Sequence, residues 1–242
     1  MKSFLAAVAF LTRVPLGRLF RFGREQVAGS AGWFSLVGAM IGTGYAALAA
    51  SLDNRLPHPV IAVLLVGMEA LLTGALHLDA LADTADAFGG GHTRDEVLRI
   101  MRDHAIGSYG ATALILLIAL KMTAYHGLLE VRLATIPLIL APALGRWSIL
   151  PLSYILPYAR ESAAVRVGRG GVVWGTVTVA GILGLVPSLR GLVSAVAVML
   201  VTLLFGRYCR RRIGGVTGDT LGANVQFCES AVLLTFLWSR TS

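Results

Sequence analysis

Seven apolar stretches, each close to the length that crosses a lipid bilayer, decide what this 242-residue chain can become. They run over residues 27–52, 59–78, 106–128, 133–158, 171–187, 189–205 and, more weakly, 223–238. A hydrocarbon core about 30 Å thick is crossed by roughly 17–25 apolar residues in a helix. In lipid every backbone polar group must be satisfied internally, so only helices and closed barrels can span. No stretch alternates in the manner of a barrel strand. The prediction is an all-α, polytopic integral membrane helix bundle of about seven spans, forming one domain over 1–242. Charged residues are 14% of the chain against about 25% in soluble domains, and apolar residues are 56%. A globule of this length cannot bury that much apolar surface, which excludes a soluble nucleotide-binding sheet and intrinsic disorder.

Within the N-terminal segment 1–26, residues Met1 to Pro15 imitate a signal peptide, with Lys2, an apolar run and Ala7-Val8-Ala9. The run before that would-be cleavage site is only Phe4 to Ala6, and Arg13 interrupts it soon after. The segment is therefore read as an uncleaved amphipathic N-terminal helix. Cys209 and Cys228 show no ligand spacing and are read as free thiols. Gly38, Gly42 and Gly44, with Gly181 and Gly184, suit close helix approach in lipid.

The formal charge of +8 first suggests nucleic acid, until the cations are placed. With a cytoplasmic N-terminus, fifteen fall inside: Lys2, Arg13, Arg18, Arg21, Arg24, Arg94, Arg99, Arg102, Arg160, Arg166, Arg169, Arg207, Arg210, Arg211 and Arg212. Only Arg55, Arg132, Arg190 and Arg240 fall outside. This is the positive-inside pattern of a bacterial cytoplasmic (inner) membrane protein, with the bilayer and not nucleic acid as partner. Lys121 and Arg146 are the two cations inside spans. Lys121 can snorkel, whereas Arg146 should face the interior and pair with Glu69 or Glu229.

The acids carry the chemistry. Asp79, Asp83 and Asp86 stand at i, i+4 and i+7, within about 60° of one another on a helix. Glu69 falls on the same side, one step deeper. Three carboxylates on one stripe repel unless a cation neutralises them. Hard oxygen donors without Cys or paired His call for Mg²⁺, with Mn²⁺ as second choice. The bland alternative is a solvated acidic face, which would seldom concentrate three acids among Ala and Leu.

The continuation in the cytoplasmic segment 79–104 favours phosphate chemistry. After Gly89-Gly90-Gly91 a short helix carries Arg99 and Arg102, spaced to hold phosphate oxygens, and then Asp103. Asp95 and Glu96 read as helix-start residues, and His77 and His104 as interfacial ones. A second loop, 207–222, ends in Gly214-Gly215-Val216-Thr217-Gly218-Asp219-Thr220, whose backbone can approach an anion closely. Thr217 and Gly218, with Gln226 and Glu229 beyond them, are candidate substrate contacts. Asp219 adds a ligand or holds a sugar hydroxyl.

Four separated blocks, in order, resemble the cobalamin synthase family. They are Phe10-Leu11-Thr12-Arg13-Val14-Pro15; Leu72-Thr73-Gly74-Ala75-Leu76-His77-Leu78-Asp79 through Asp86; Met101-Arg102-Asp103 with Ile106-Gly107-Ser108-Tyr109-Gly110; and Thr217-Gly218-Asp219-Thr220-Leu221-Gly222-Ala223 through Gln226 and Glu229. The chain departs from the usual pattern at Ala80 and Ala87, where the family has glycine.

The resemblance implies a Mg²⁺-dependent membrane enzyme. Adenosylcobinamide-GDP would give up GMP while α-ribazole, or its 5′-phosphate, joins the cobinamide phosphate. Asp79, Asp83 and Asp86 are then the expected metal ligands, and Asp103 the first candidate for general base, with Asp86 the second. The runner-up is a phospholipid-type CDP-alcohol phosphotransferase, which would show a second acid pair after a downstream glycine. Gly91 is followed by no such pair before Asp103. A cation-coupled transporter would instead place acids at mid-bilayer on broken helices. Homo-oligomerisation stays open.

Overall fold

The structure, a computed structural model, describes residues 1–103, 105–160, 167–185 and 188–238. His104, Arg166, Pro187 and Arg240, with the side chains of Arg18 and Arg24, lie outside the described residues. The chain is helical throughout what is described, apart from turns and one isolated bridge between Tyr158 and Val216. Three short helices, α1 (Lys2–Leu11), α2 (Leu16–Leu19) and α3 (Arg24–Ala28), lead through a 3₁₀ turn at Ala31–Trp33 into α4 (Phe34–Leu52). Then come α5 (His58–Thr73), α6 (Leu76–Gly90) and α7 (Arg94–Ile100), followed by α8 (Ser108–Glu130), α9 (Thr135–Trp147) and α10 (Ile149–Ile155). The last three are α11 (Arg169–Leu185), α12 (Leu189–Ile213) and α13 (Gly218–Trp238).

Among the described residues five helical stretches are long and apolar enough to span: Glu25–Leu52, Ser108–Glu130, Thr135–Ile155, Leu189–Ile213 and Gly218–Trp238. The pair α5 and α6 makes a sixth if counted as one broken span. The expected seven differ from this at two places. Helix α11 is apolar but only 17 residues long. The expected span 59–78 turns through 91° at Gly74 and Ala75, both of which are left-handed, with φ of 65° and 58°. Glycine tolerates that conformation, whereas Ala75 is strained by roughly 1–2 kcal/mol. Glu69 therefore sits before the corner and does not continue the acidic stripe of α6.

Small residues bring the spans together. A Cβ added to Gly38 would strike the backbone of Pro142 and Ala143, and one on Gly42 the backbone of Leu138 and Ile139. The four-residue spacing thus presses α4 flat against α9, as close-packed membrane helices require. Helix α13 lies in the middle, against α6, α8, α9 and α12. Gly222 meets the methyl of Ala80 there, so the extra methyl of Ala80 is accommodated by a residue that has none.

Helix α8 ends in paired backbone bonds, Arg132 N–H to Leu129 O and Leu133 N–H to Leu128 O, both 3.0 Å. This is a Schellman motif, in which the left-handed position is usually glycine. Here it is Arg132, with φ of 53°.

Candidate functional site

One end of the bundle gathers the polar loops. Arg94, at the start of α7, donates from Nε to Ile213 O at 3.1 Å and from Nη2 to Ala159 O at 2.8 Å. Arg212 donates from Nη2 to Phe88 O at 2.9 Å and Gly91 O at 2.7 Å. Val216 N–H donates to Pro157 O at 2.9 Å, and Ala159 N–H to Val216 O at 2.8 Å. Three loops far apart in sequence are thereby sewn into one face. Around α7, Thr93 accepts from Glu96 N–H, while the Glu96 carboxylate accepts from His92 and Thr93 N–H at 2.9 and 3.1 Å. The bonds from His92 and then Thr93 hold the Glu96 carboxyl below its usual range.

Beside that face lies the start of α13. Thr217 caps it, accepting from Thr220 N–H at 3.2 Å. The Thr217 hydroxyl also contacts Met101 Sδ at 3.1 Å, which draws the 101–103 segment against the loop. Gly218 N–H donates to the Tyr158 hydroxyl at 2.9 Å. Asp219 pairs with Arg160 at 3.3 Å, at the start of the helix that packs against α6. Arg160 Nη2 also donates to Met101 O at 3.4 Å.

The acidic stripe divides its duties. Asp79 is exposed and Asp83 half-buried on α6. Asp86 accepts from Gly107 N–H through one oxygen and Gly110 N–H through the other, each at 2.8 Å. Those amides belong to the first turn of α8, where unpaired N–H groups favour an anion. A Cβ on Gly107 or Gly110 would strike the Asp86 carboxylate, so glycine is what lets it reach both amides. Asp86 is thus tied into the anchoring of α8, a duty that sequence reasoning, which gave it to metal and proton transfer, had missed.

No three of His, Cys, Asp and Glu converge as a ready-made metal cage among the described residues. Mg²⁺ does not need one, because it keeps several waters and usually takes one or two carboxylates plus substrate phosphates. Exposed Asp79, with Asp83 one turn further along α6, has the right donor type for that arrangement. The residues present fit a hydrated, substrate-completed magnesium ion.

Deeper in the bundle is a second polar assembly. Lys121 Nζ donates to both Glu69 oxygens at 2.8 Å and to Glu229 Oε2 at 2.6 Å. Arg146 Nη1 pairs with Glu229 Oε1, and Gln226 Nε2 donates to Glu69 Oε1 at 2.9 Å. Arg146 Nη2 contacts His77 Nδ1 at 3.3 Å. A guanidinium can only donate, so Nδ1 accepts and the neutral ring carries its proton on Nε2. All six side chains are at most 3% exposed. Two cations against two carboxylates leave no net charge, which is what a low-dielectric interior demands.

The predicted site residues therefore separate. Asp79, Asp83, Asp86, Thr217, Gly218 and Asp219 border one face, and Asp103 is exposed two residues beyond Met101. Arg99 and Arg102 are exposed, and neither side chain forms a hydrogen bond or ion pair among the described residues. Gln226 and Glu229, expected as substrate contacts, lie instead in the buried assembly, because about two to three turns of α13 carry them from the loop into the bundle centre. Lys121 is fully buried and does not snorkel. Arg146 takes Glu229, one of its two expected partners. Sequence reasoning counted Arg160, Arg94 and Arg212 only as topology signals and overlooked Tyr158. Apart from Asp95, which Arg94 meets at 3.5 Å, their partners are at least 59 residues away, so no local signal marks them.

Span-length apolar helices with acids and arginines gathered at one end define a polytopic integral membrane protein. The chain belongs to the family described as Cobalamin-5-phosphate synthase, which it matches over residues 3–237. It is 35% identical over 240 residues to the adenosylcobinamide-GDP ribazoletransferase of Thiobacillus denitrificans, covering 97% of this chain and 94% of that one. The protein of the same name from Clostridium botulinum (strain Okra / Type B1) is 33% identical, with 98% of each chain covered. That of Ralstonia nicotianae is 36% identical, with 99% and 96% covered. No solved structure matches.

Proposed function

We propose that this chain is the transferase that joins α-ribazole, or its 5′-phosphate, to adenosylcobinamide-GDP with release of GMP, closing the nucleotide loop of a cobalamin. The observation that carries the reading is the packing of α6, which bears exposed Asp79, against α13, whose first turn holds the Asp219–Arg160 ion pair at 3.3 Å. Full-length relatives bearing that activity in their names support it.

A ribazole hydroxyl attacks the phosphorus attached to cobinamide. The bond from that phosphorus to the GMP oxygen breaks, and GMP leaves with the electron pair. Asp103 is the proposed acceptor of the hydroxyl proton. Arg99 and Arg102 grip pyrophosphate oxygens, with Thr217 and Gly218 at the edge of the same face. Asp79 and Asp83 would hold Mg²⁺, which supplies charge stabilisation to the pyrophosphate. Asp86 keeps the α8 end in place beside them. The acidic end faces the cytoplasm, where nucleotides are available, in the inner membrane of a bacterium.

Purified protein given adenosylcobinamide-GDP releases GMP only when α-ribazole and Mg²⁺ are both present. Release that is indifferent to α-ribazole sinks the assignment, and release that survives chelation sinks the metal. In the same assay Asp103→Asn slows turnover by about 10²–10⁴-fold, the range for a positioned base. The Mg²⁺ concentration for half-maximal rate stays where it was. A raised requirement makes Asp103 a ligand instead. A topology reporter at Gly90 reads cytoplasmic, and a periplasmic signal there separates the acids from their nucleotide.

A further inference from the structure

At the opposite end of the bundle, a cavity of about 470 Å³ opens where the α8–α9 turn meets the start of α12. Its walls include the polar Arg132, Arg190 and Thr135 and the apolar Leu133, Leu189 and Phe236. Helix α8 runs from Ser108, beside the Asp86-held amides, to Glu130, 23 residues or about 34 Å, so this cavity lies one bilayer thickness from the acidic face.

Neither Arg132 nor Arg190 forms an ion pair among the described residues. The nearby carboxylates are engaged elsewhere. His58 Nε2 contacts Asp53 at 3.0 Å, and its Nδ1 contacts Glu130 at 2.7 Å. Arg132 also borders a neighbouring cavity of about 160 Å³ that Asp53 lines, without pairing with it. Arg132 occupies the left-handed position that closes α8, where glycine is the unstrained choice. A strained residue whose side chain turns toward a cavity points to a role for that side chain.

We propose that this cavity binds an anionic glycerophospholipid, its phosphate between Arg132 and Arg190 and its first acyl carbons on Leu133, Leu189 and Phe236. Two guanidiniums and a hydroxyl suit a phosphodiester. The volume falls in the range of organic ligand sites. The apolar wall has no use for a free inorganic phosphate, and the location at the end of span-length helices is where headgroups lie. Phe236 belongs to α13, whose other end carries Asp219, so the lipid seats the helix that borders the acidic mouth.

The test uses the full chain in neutral detergent, read by native mass spectrometry and by thermal unfolding. Phosphatidylglycerol stays bound as a discrete adduct and raises Tm, whereas phosphatidylcholine and inorganic phosphate do neither. Arg190→Gln weakens the adduct by about tenfold or more, the value of one charge-assisted contact. Arg132→Gly does the same while the lipid-free Tm holds or rises, since glycine relieves the strained turn. That variant separates lost binding from lost folding. Equal binding of phosphatidylcholine, a full shift from inorganic phosphate, or an undiminished adduct in the double variant each overturns the proposal.

Discussion

Asp83→Asn lowers the rate of GMP release by about 100- to 1,000-fold, with the protein still inserted and folded. The magnitude is that of removing one preorganised electrostatic contact from a site where charge develops. Asp79→Asn has an effect of the same order, because it is exposed one turn before Asp83 on α6. Asp86, by contrast, holds the end of α8, so its replacement costs stability as well as activity. Near-wild-type rates in both variants, measured on protein with an unchanged unfolding midpoint, reduce the stripe to a solvated face.

Arg146→Met destabilises the bundle by about 3–5 kcal/mol, the cost of leaving a buried charge without its partner. Glu229 then keeps only Lys121, which it already shares with Glu69. Arg146→Met combined with Glu229→Met recovers part of that loss, since Lys121 and Glu69 still neutralise each other while His77 Nδ1 loses its donor. Unfolding of purified protein in mixed detergent micelles measures both. A double variant as unstable as the sum of the single ones means the two side chains act independently.

The helical architecture was legible because lipid imposes one rule along the whole chain, and long apolar runs obey it without help from distant residues. The corner between α5 and α6 was not. Its only local mark is Gly74, and a glycine within an apolar run also reads as a packing site. The acids of α6 were legible from their spacing, as was the contrast between Arg146 and its candidate acids. What spacing does not contain is which amides a carboxylate meets across the bundle. Asp86 looks like Asp79 and Asp83 in sequence, and only the approach of Gly107 and Gly110 sets it apart. The same limit explains Gln226 and Glu229. They follow the glycine loop closely enough to be grouped with it, yet a helix that begins at Gly218 takes them directly inward.

The buried assembly also imposes an order on biogenesis. Glu69 and Lys121 are 52 residues apart and can neutralise each other once α5 and α8 lie side by side. Arg146 precedes Glu229 by 83 residues, so α11 and α12 are made before its carboxylate arrives. At about 5–20 residues per second of translation, that delay is roughly 4–17 seconds. Throughout it, α9 holds a lone guanidinium in lipid, at a cost of about 2.5–3.5 kcal/mol on insertion scales. The arrival of α13 relieves that cost. A nascent chain stalled before Glu229 therefore exposes an intramembrane cation, and membrane quality control can read it as the mark of an unfinished protein.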